Sequence, residues 1–342
     1  MRAKHKALLL VLLLYFPRTG QCNPPLPPPE ISNHFELGKI VLQNPTREIK
    51  YSYYYYIPTS LKKGDSARLL LSTDGGPKYD KYDELVKSLF LSRVVPLAKL
   101  AEQHGYVFIM PILPRNYGSD SASKMNAQMF NRWTLMRAPF DTRKYEFDNR
   151  PDLVLLKIVD HLSAELVKNQ ISVKKKIFMA GFSSGAVVAN RFSILYPDRI
   201  AAVAIGSAGV FMYPLSSWKG TQLTYPLGIA DIDKIPRPKI SLNEFKKIPH
   251  FIFVGDQDLA NGHSPVPEDP ENDNEALFEK AQSRAILKYF GKTNVERAQK
   301  FTEYLRSIGI KPKFTLFKGQ GHEYNDEMKR SIFEYFDSVP AN

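Results

Sequence analysis

The sequence predicts an α/β fold in which a mostly parallel central sheet carries helices on both faces. Short apolar runs, typical of buried strands, alternate along the chain with longer segments whose apolar residues recur at helical spacing. The spacing between successive apolar runs leaves room for the crossovers that parallel neighbours require. With 342 residues, 43% of them hydrophobic, the chain can bury a large core. We find no internal repeat and no second domain boundary.

The first 22 residues have the composition of an export signal. Basic residues at positions 2, 4 and 6 precede a ten-residue apolar run, 7–16, which is too short to span a bilayer comfortably. Cys22, the only cysteine, stands where bacterial lipoprotein signals carry their lipidated cysteine, whereas Gln21 departs from the small residue expected before it. Two interpretations stay open: a soluble secreted protein, or a cell-envelope protein attached to the membrane through a lipid on Cys22.

Residues 23–33 are rich in proline and predict a stiff linker, so the folded domain is expected to comprise residues 34–342. The formal charge of +12 includes four basic residues of the export signal. The other basic residues are scattered, and Lys174 to Lys176 is the one tight run. This pattern is typical of a solvated surface, so nucleic acid is not a predicted partner. A single cysteine also excludes an intramolecular disulfide.

The first third of the chain contains β-prone and short apolar runs, followed by the first helical pattern. The elements predicted there are strands at 35–42, 48–56 and 67–72, a helix at 85–105 and a strand at 106–113. Residues 114–150 then lack apolar periodicity over a length that is uncommon for a connection in a compact domain. They are expected either to flank the substrate or to form a surface excursion.

The alternation resumes after residue 150. The predicted elements are a helix at 151–167, a strand and helix within 174–196, strands at 200–205, 250–254 and 312–317, and helices at 281–290, 295–308 and 326–336. Residues 207–247 interrupt this pattern without a strong period. They predict a cap-like insertion over the carboxyl edge of the sheet, where open α/β sheets bind their ligands.

The strand and helix within 174–196 enclose Gly181-Phe182-Ser183-Ser184-Gly185. Glycines two residues before and after the middle serine leave room for a sharp, strained turn that lifts its hydroxyl above the sheet. Ser183 is therefore the candidate nucleophile. The motif alone is weak evidence, since a chain of this length contains one by chance roughly one time in ten. Its position between a buried strand and a buried helix makes it more specific.

A serine hydroxyl is a poor nucleophile unless a base removes its proton, and the base needs an acid that holds the productive tautomer. After a strand–serine–helix turn, the acid is expected to follow a late strand and the histidine to follow the last one. The strand at 250–254 ends in Gly255-Asp256-Gln257-Asp258, and the strand at 312–317 is followed by Gly321-His322. The chain thus supplies Ser183, Asp258 and His322 in the required order.

With these residues the chain resembles the α/β-hydrolases, most of all secreted serine esterases of the polyhydroxybutyrate depolymerase and feruloyl esterase type. The resemblance covers about residues 35 to 338 and rests on Asp74-Gly75-Gly76, the serine turn, Gly255 to Asp258, and Gly321-His322. It implies the α/β-hydrolase fold. It also places the acid at the fourth position of a Gly-x-x-Asp turn, which is Asp258, with Asp256 as the fallback acid. His322 would act first as general base and then as general acid.

The resemblance also implies an oxyanion hole. Such esterases carry a His-Gly-Gly type loop after the corresponding strand, with a backbone N–H that faces the reacting carbonyl oxygen. Here Asp74 replaces the histidine and Pro77 has no N–H, so Gly76 is the first candidate donor and Gly75 the second. Ser184, directly after the nucleophile, would supply the other N–H. An ordinary Asp-Gly turn is the alternative interpretation.

No metal and no cofactor are predicted. The acidic residues between positions 256 and 279 resemble a calcium loop in composition, but Asn261 and Asn274 occupy the sixth positions of the two candidate EF-hand loops, where glycine is required. A solvated acidic loop explains this composition better.

The expected function is hydrolysis of a carboxylic ester through an acyl-enzyme, on a small-molecule or polymeric substrate, outside the cell or in its envelope. Two alternatives stay open. The first is a peptidase or amidase that uses the same three residues. The second is a non-catalytic binding protein on the α/β-hydrolase scaffold, because the histidine of the oxyanion loop is replaced and the loop at 114–150 is untypical.

Overall fold

The computed structural model describes residues 35–74, 82–113, 150–235, 240–259, 266, 269–271 and 278–340. Several predicted features lie outside the described residues: the export signal with Cys22, the linker 23–33, the oxyanion candidates Gly75 and Gly76, and all of the loop 114–150 except Arg150. The division of the chain into signal, linker and domain therefore stays a prediction.

A nine-stranded sheet forms the centre of the described part of the protein. Its order is β1-β2-β4-β3-β6-β7-β10-β11, with β5 paired to β3 off this path. β2 is antiparallel to both neighbours, and all pairs from β4 to β11 are parallel. β8 and β9 form a separate hairpin. The strands are β1 (Ile40–Gln43), β2 (Tyr53–Tyr56), β3 (Ser66–Asp74), β4 (Tyr106–Pro111), β5 (Ser172–Val173), β6 (Ile177–Phe182), β7 (Ile200–Gly206), β8 (Ser217–Trp218), β9 (Thr221–Gln222), β10 (His250–Gly255) and β11 (Lys313–Phe317).

The helices lie between these strands in chain order, and the last one follows β11. They are α1 (Tyr82–Leu89), a π-helical turn (Phe90–Val94), α2 (Val95–His104), α3 (Pro151–Lys168), α4 (Ser184–Leu195), two 3₁₀ turns (Pro197–Arg199 and Ile232–Lys234), α5 (Leu242–Lys246), α6 (Lys280–Ala285), a second π-helical turn (Ile286–Phe290), α7 (Asn294–Ser307) and α8 (Asp326–Ser338). Among the described residues, none of the helices combines the length and the apolar character needed to cross a membrane.

Alternate residues of the central strands point to opposite faces of the sheet and enter two separate cores. In β6, Ile177 and Met179 belong to one core, whereas Phe178 and Phe182 belong to the other. Residues of α3, α4 and α7 cover the first core, and residues of α1, α2 and α8 cover the second. A parallel strand buried on both faces requires the continuous apolar runs that the sequence contains. The predicted fold class, a mostly parallel sheet covered on both faces, is confirmed.

The second predicted strand, 48–56, is shorter in the structure. The strand begins only at Tyr53, and a local turn at Thr46 uses the backbone N–H and carbonyl of Ile49. The Thr46 hydroxyl accepts the Ile49 N–H at 3.0 Å, and the Thr46 N–H donates to the Ile49 carbonyl at 2.7 Å. Such side-chain-to-backbone bonds compete with strand pairing. Ile49 is nevertheless buried, so its apolar character reflects core packing rather than a strand.

The predicted insertion 207–247 packs against the first core where it is described. Tyr213 stacks on Phe290 with ring centroids 4.2 Å apart, and Tyr225 is fully buried. Asn190 of α4 accepts the Met212 N–H at 2.7 Å. The bond from Asn190 fastens the start of the segment to the helix that follows Ser183. Its role as a cap over the substrate stays a prediction.

Candidate active site

Ser183 lies in a sharp turn between β6 and α4. Its backbone has φ 57° and ψ −126°, a conformation that residues other than glycine rarely adopt and that costs free energy. The strand ends at Phe182 and the helix begins at Ser184. Ser183 is therefore the whole turn, and no loop residue beside it can relieve its backbone strain. A strained serine between a buried strand and a buried helix is the geometry that the sequence motif predicted.

The two glycines of the motif are needed because backbone segments meet at this turn. A Cβ atom on Gly181 would lie 2.2 Å from the carbonyl oxygen of Gly185. A Cβ atom on Gly185 would lie 2.1 Å from the carbonyl oxygen of Thr73, in β3. The Thr73 hydroxyl donates to the Gly185 carbonyl at 2.7 Å. The start of α4 is therefore pressed against the carboxyl end of the neighbouring strand.

His322 joins Ser183 to Asp258. Its Nε2 lies 2.9 Å from the Ser183 Oγ, and its Nδ1 lies 2.9 Å from the Asp258 Oδ2. An ionised carboxylate only accepts hydrogen bonds, so Nδ1 carries the proton and Nε2 is free to accept the serine proton. The structure brings together the three residues that the sequence singled out.

Asp258 is buried, with 1% of its surface exposed. Burial acts to raise the pKa of Asp258, but hydrogen bonds from His322 and from Asn294 outweigh it and hold the pKa below its ordinary value. The carboxyl group is therefore ionised at neutral pH. Its negative charge lies 2.9 Å from the imidazole Nδ1, in the position of the acid that orients the base in a serine triad.

Asp256, the fallback acid, has a different partner. Its Oδ1 accepts the Gly319 N–H at 2.7 Å, which links the loop after β10 to the loop after β11. A Cβ atom on Gly255 would lie 2.2 Å from the Gln320 carbonyl oxygen, so these two loops also touch through their backbones. Asp256 joins the loops that carry Asp258 and His322, while Asp258 is the carboxylate in contact with the imidazole.

Ser184 is the first residue of α4, so its N–H belongs to a helix N-terminus. Backbone N–H groups at such a terminus favour a nearby negative charge. The two other oxyanion candidates, Gly76 and Gly75, lie outside the described residues. Of the three oxyanion candidates, Ser184 is therefore the one that lies within the described residues.

The residue before the oxyanion candidates has a partner that the sequence did not reveal. Arg93 Nε donates to the Asp74 Oδ2 at the end of β3, and the Asp74 side chain is 3% exposed. The Arg93 guanidinium also lies 5.4 Å from the ring centroid of Tyr324. Arg93 belongs to the π-helical turn inside the predicted helix 85–105, and nothing in the helical period distinguished it from a surface residue.

Aromatic rings pack beside the histidine. Phe182 stacks on Tyr324 with centroids 4.8 Å apart and planes 6° apart, and the Phe182 ring lies 5.3 Å from the His322 ring. Burial raises the pKa of Tyr324 further above its ordinary value, so its hydroxyl is neutral beside the site. These apolar neighbours limit how far the imidazole can rotate.

Asn294, the first residue of α7, is a further neighbour of the site that sequence reasoning missed. Its Nδ2 donates to the Asp258 Oδ1 at 2.9 Å. Thr293-Asn294 before a helical pattern indicates only a helix start. Within the described residues, no group of three or more histidine, cysteine, aspartate or glutamate side chains is arranged to hold a metal ion.

No protein-family model and no curated protein sequence matches this chain. Solved structures do resemble it. The poly(3-hydroxybutyrate) depolymerase from Bordetella parapertussis matches with a TM-score of 0.54 at 16% identity, over 88% of this chain and 91% of that one. Poly(aspartic acid) hydrolase-1 from Sphingomonas sp. KT-1 matches with a TM-score of 0.52 at 15% identity, over 88% and 97%. An S-formylglutathione hydrolase from Agrobacterium tumefaciens matches with a TM-score of 0.50 at 12% identity, over 90% and 96%.

At these identities the likeness concerns the fold. It agrees with the family that the sequence motifs resemble. The protein has the α/β-hydrolase fold.

Proposed function

We propose that the protein is a serine hydrolase that cleaves carboxylic esters through an acyl-enzyme. The observation that carries the proposal is the continuous chain of two 2.9 Å contacts from Ser183 through His322 to Asp258. A base in contact with the hydroxyl and an acid in contact with the base are the arrangement that serine needs to become nucleophilic. The strained backbone of Ser183, with φ 57°, supports the same conclusion.

In the proposed reaction, the Ser183 Oγ forms a bond to the acyl carbon while its proton passes to the His322 Nε2. The carbonyl electron pair moves to oxygen, and the Ser184 N–H is a candidate donor to that oxyanion. Collapse of the intermediate breaks the bond to the alcohol oxygen, which takes the proton from Nε2. Water then attacks the acyl carbon while the His322 Nε2 takes its proton. The bond from the acyl carbon to the Ser183 Oγ breaks, Nε2 returns the proton to Oγ, and the carboxylic acid leaves. Asp258 stays ionised and stabilises the imidazolium in both halves.

A fluorophosphonate probe tests the nucleophile directly, because its phosphorus reacts with an activated serine as fluoride leaves. We expect the wild type to be labelled and Ser183→Ala to be unlabelled. Ser172→Ala, which removes an exposed serine of β5, serves as the matched control and should label like the wild type. Absence of labelling in the folded wild type would instead support the alternative of a non-catalytic binding protein.

A substrate panel separates esterase from amidase. We expect p-nitrophenyl esters of graded acyl length to be hydrolysed at rates that His322→Ala lowers by on the order of 10⁴-fold or more, since members of such a triad act as a unit. The matching p-nitroanilides should react far more slowly. Equal rates on esters and anilides would reject the ester proposal in favour of the amidase.

Export of the protein is part of the same proposal, and it rests on the composition of residues 1–22. We expect the mature protein to lack the residues before Cys22, and Cys22 itself if it carries no lipid, and to reach the cell envelope or the medium. If Cys22 carries a lipid, Cys22→Ser should release the protein from membranes. Metabolic labelling with a fatty-acid analogue and the mass of the mature N-terminus check this, and an unlabelled soluble protein would exclude the lipid.

A further inference from the structure

The two oxygens of the Asp258 carboxylate have different partners. Oδ2 faces His322 Nδ1 at 2.9 Å, and Oδ1 accepts the Asn294 Nδ2–H at 2.9 Å. A carboxylate held at one oxygen can rotate about its Cβ–Cγ bond, whereas one held at both oxygens has a fixed plane. The bond to Asn294 therefore restrains the orientation from which Oδ2 meets the imidazole.

Asn294 is not needed to cap its own helix. Thr293 is the N-cap of α7, and its hydroxyl accepts the Glu296 N–H at 3.1 Å. Asn294 is fully buried, and burying an amide costs free energy unless it is hydrogen-bonded. The bond to Asp258 satisfies the Asn294 Nδ2–H, whereas the Asn294 Oδ1 has no hydrogen-bond partner among the described residues. The amide is thus buried at a helix start that Thr293 already caps, and its one side-chain hydrogen bond within the described part of the chain goes to Asp258.

The start of α7 is held in place by Arg297, one turn after Asn294. Its guanidinium donates to the Gly209 carbonyl at 2.6 Å, to the Gly291 carbonyl at 3.0 Å and to the Lys292 carbonyl at 3.0 Å. Arg297 is 1% exposed, and burial lowers its pKa to about 10, so it remains charged at neutral pH. Three carbonyls bound to a buried cation anchor the helix start, and with it the Asn294 amide.

We propose that Asn294 is a positioning residue for the hydrolysis described above: its side-chain amide orients the Asp258 carboxylate toward His322. This inference rests on the proposed function, since orientation of the acid matters only if His322 acts as a base. Asn294 acts through Asp258 and touches no reacting atom. Its effect is expected on kcat rather than on substrate binding.

Asn294→Ala is the primary test. A hydrogen bond to a charged group is lost, which corresponds to a fall in kcat of about 10- to 100-fold. KM should stay within about 2-fold of the wild type, because the amide does not contact substrate. A kcat within about 2-fold of the wild type in a folded variant would overturn the proposal, and so would an effect confined to KM.

Thr293→Ala is the matched control. It removes the cap of the same helix and lowers the melting temperature, but it leaves the amide-to-carboxylate bond in place. We expect its kcat to stay within about 3-fold of the wild type. If Thr293→Ala lowers kcat as much as Asn294→Ala does, Asn294 contributes only to a stable helix start, and the proposal is rejected.

A double-mutant cycle tests whether the effect of Asn294 depends on the Asp258 carboxylate, which a merely structural role would not require. In an Asp258→Asn background the carboxylate is absent, so adding Asn294→Ala should change the fluorophosphonate labelling rate by less than about 3-fold. If Asn294→Ala lowers the labelling rate by the same factor in both backgrounds, Asn294 acts independently of Asp258, contrary to the proposal.

A resting-state measurement separates this inference from the proposed function. The proton between His322 Nδ1 and Asp258 gives a downfield ¹H NMR resonance, which His322→Ala assigns by its loss. We expect Asn294→Ala to shift or broaden this signal without any substrate present, and an unchanged signal refutes the positioning role. If the signal responds but the wild type neither labels nor hydrolyses esters, the proposed function fails while the coupling of Asn294 to the pair stands.

Discussion

Gly185→Ala tests whether contact between β3 and the start of α4 sets the position of the nucleophile. The new Cβ would lie 2.1 Å from the Thr73 carbonyl oxygen and 2.6 Å from the Asp74 N, closer than the 3.0 Å below which real Cβ atoms are essentially never found. Both neighbours are backbone, so no side chain can rotate away. Relieving the contact requires the turn to move by about 1 Å, and a shift of that size at a reacting group costs on the order of 10²-fold in rate.

The assay combines kcat/KM on an ester with thermal unfolding. We expect Gly185→Ala to lose about 100-fold in kcat/KM and about 1–3 kcal/mol of stability through overpacking. Gly321→Ala is the matched control: it adjoins His322, but its Cβ would have no heavy atom within 4 Å, so it should stay within a few-fold of the wild type. If Gly185→Ala is folded and as active as Gly321→Ala, strand contact does not position Ser183.

Three further predictions follow from buried polar groups. Asp258→Asn should lower kcat/KM by on the order of 10⁴-fold by favouring the wrong tautomer, while Asp256→Asn should stay within a few-fold; ester kinetics compare the two. Burial lowers the pKa of His250 from 6.5 to about 4, so between these pH values the unfolded chain binds a proton that the folded chain does not, and stability falls as pH falls. At pH 4 the free energy of unfolding should be about 3 kcal/mol lower than at pH 7. Urea titrations at the two pH values measure this difference, which should be absent in His250→Gln. Asn190→Ala leaves the buried Met212 N–H without its 2.7 Å acceptor and should destabilise the protein by about 1–3 kcal/mol in the same titrations.

The catalytic candidates were predictable because each follows a strand in a short local motif. Parallel strands end at one edge of the sheet, so residues that follow β6, β10 and β11 come together even though Ser183 and His322 are 139 positions apart. The sequence also offered Asp256 as a second acid. Only the structure shows which carboxylate contacts the base. In the loop after β10, Asp258 contacts His322 and Asp256 contacts Gly319.

Strand length was less predictable than strand existence. The β-prone run at 48–56 predicts one strand, but the strand begins at Tyr53, and the backbone groups of Ile49 bind a turn at Thr46. Burial and strand pairing leave the same apolar signature in a short run, so periodicity cannot separate them. The order of the sheet, with β4 between β2 and β3, likewise depends on long-range pairing.

The sequence by itself determined the fold class, the serine turn and the order of Ser183, Asp258 and His322, because apolar periodicity and glycine spacing act over a few residues. Only the tertiary structure decided what holds these residues. Asn294 meets Asp258 across 36 positions, Arg297 meets Gly209 across 88, and Arg93 meets Asp74 from within a helix. Such pairs depend on how separate helices and strands pack, and no local pattern in the chain encodes that packing.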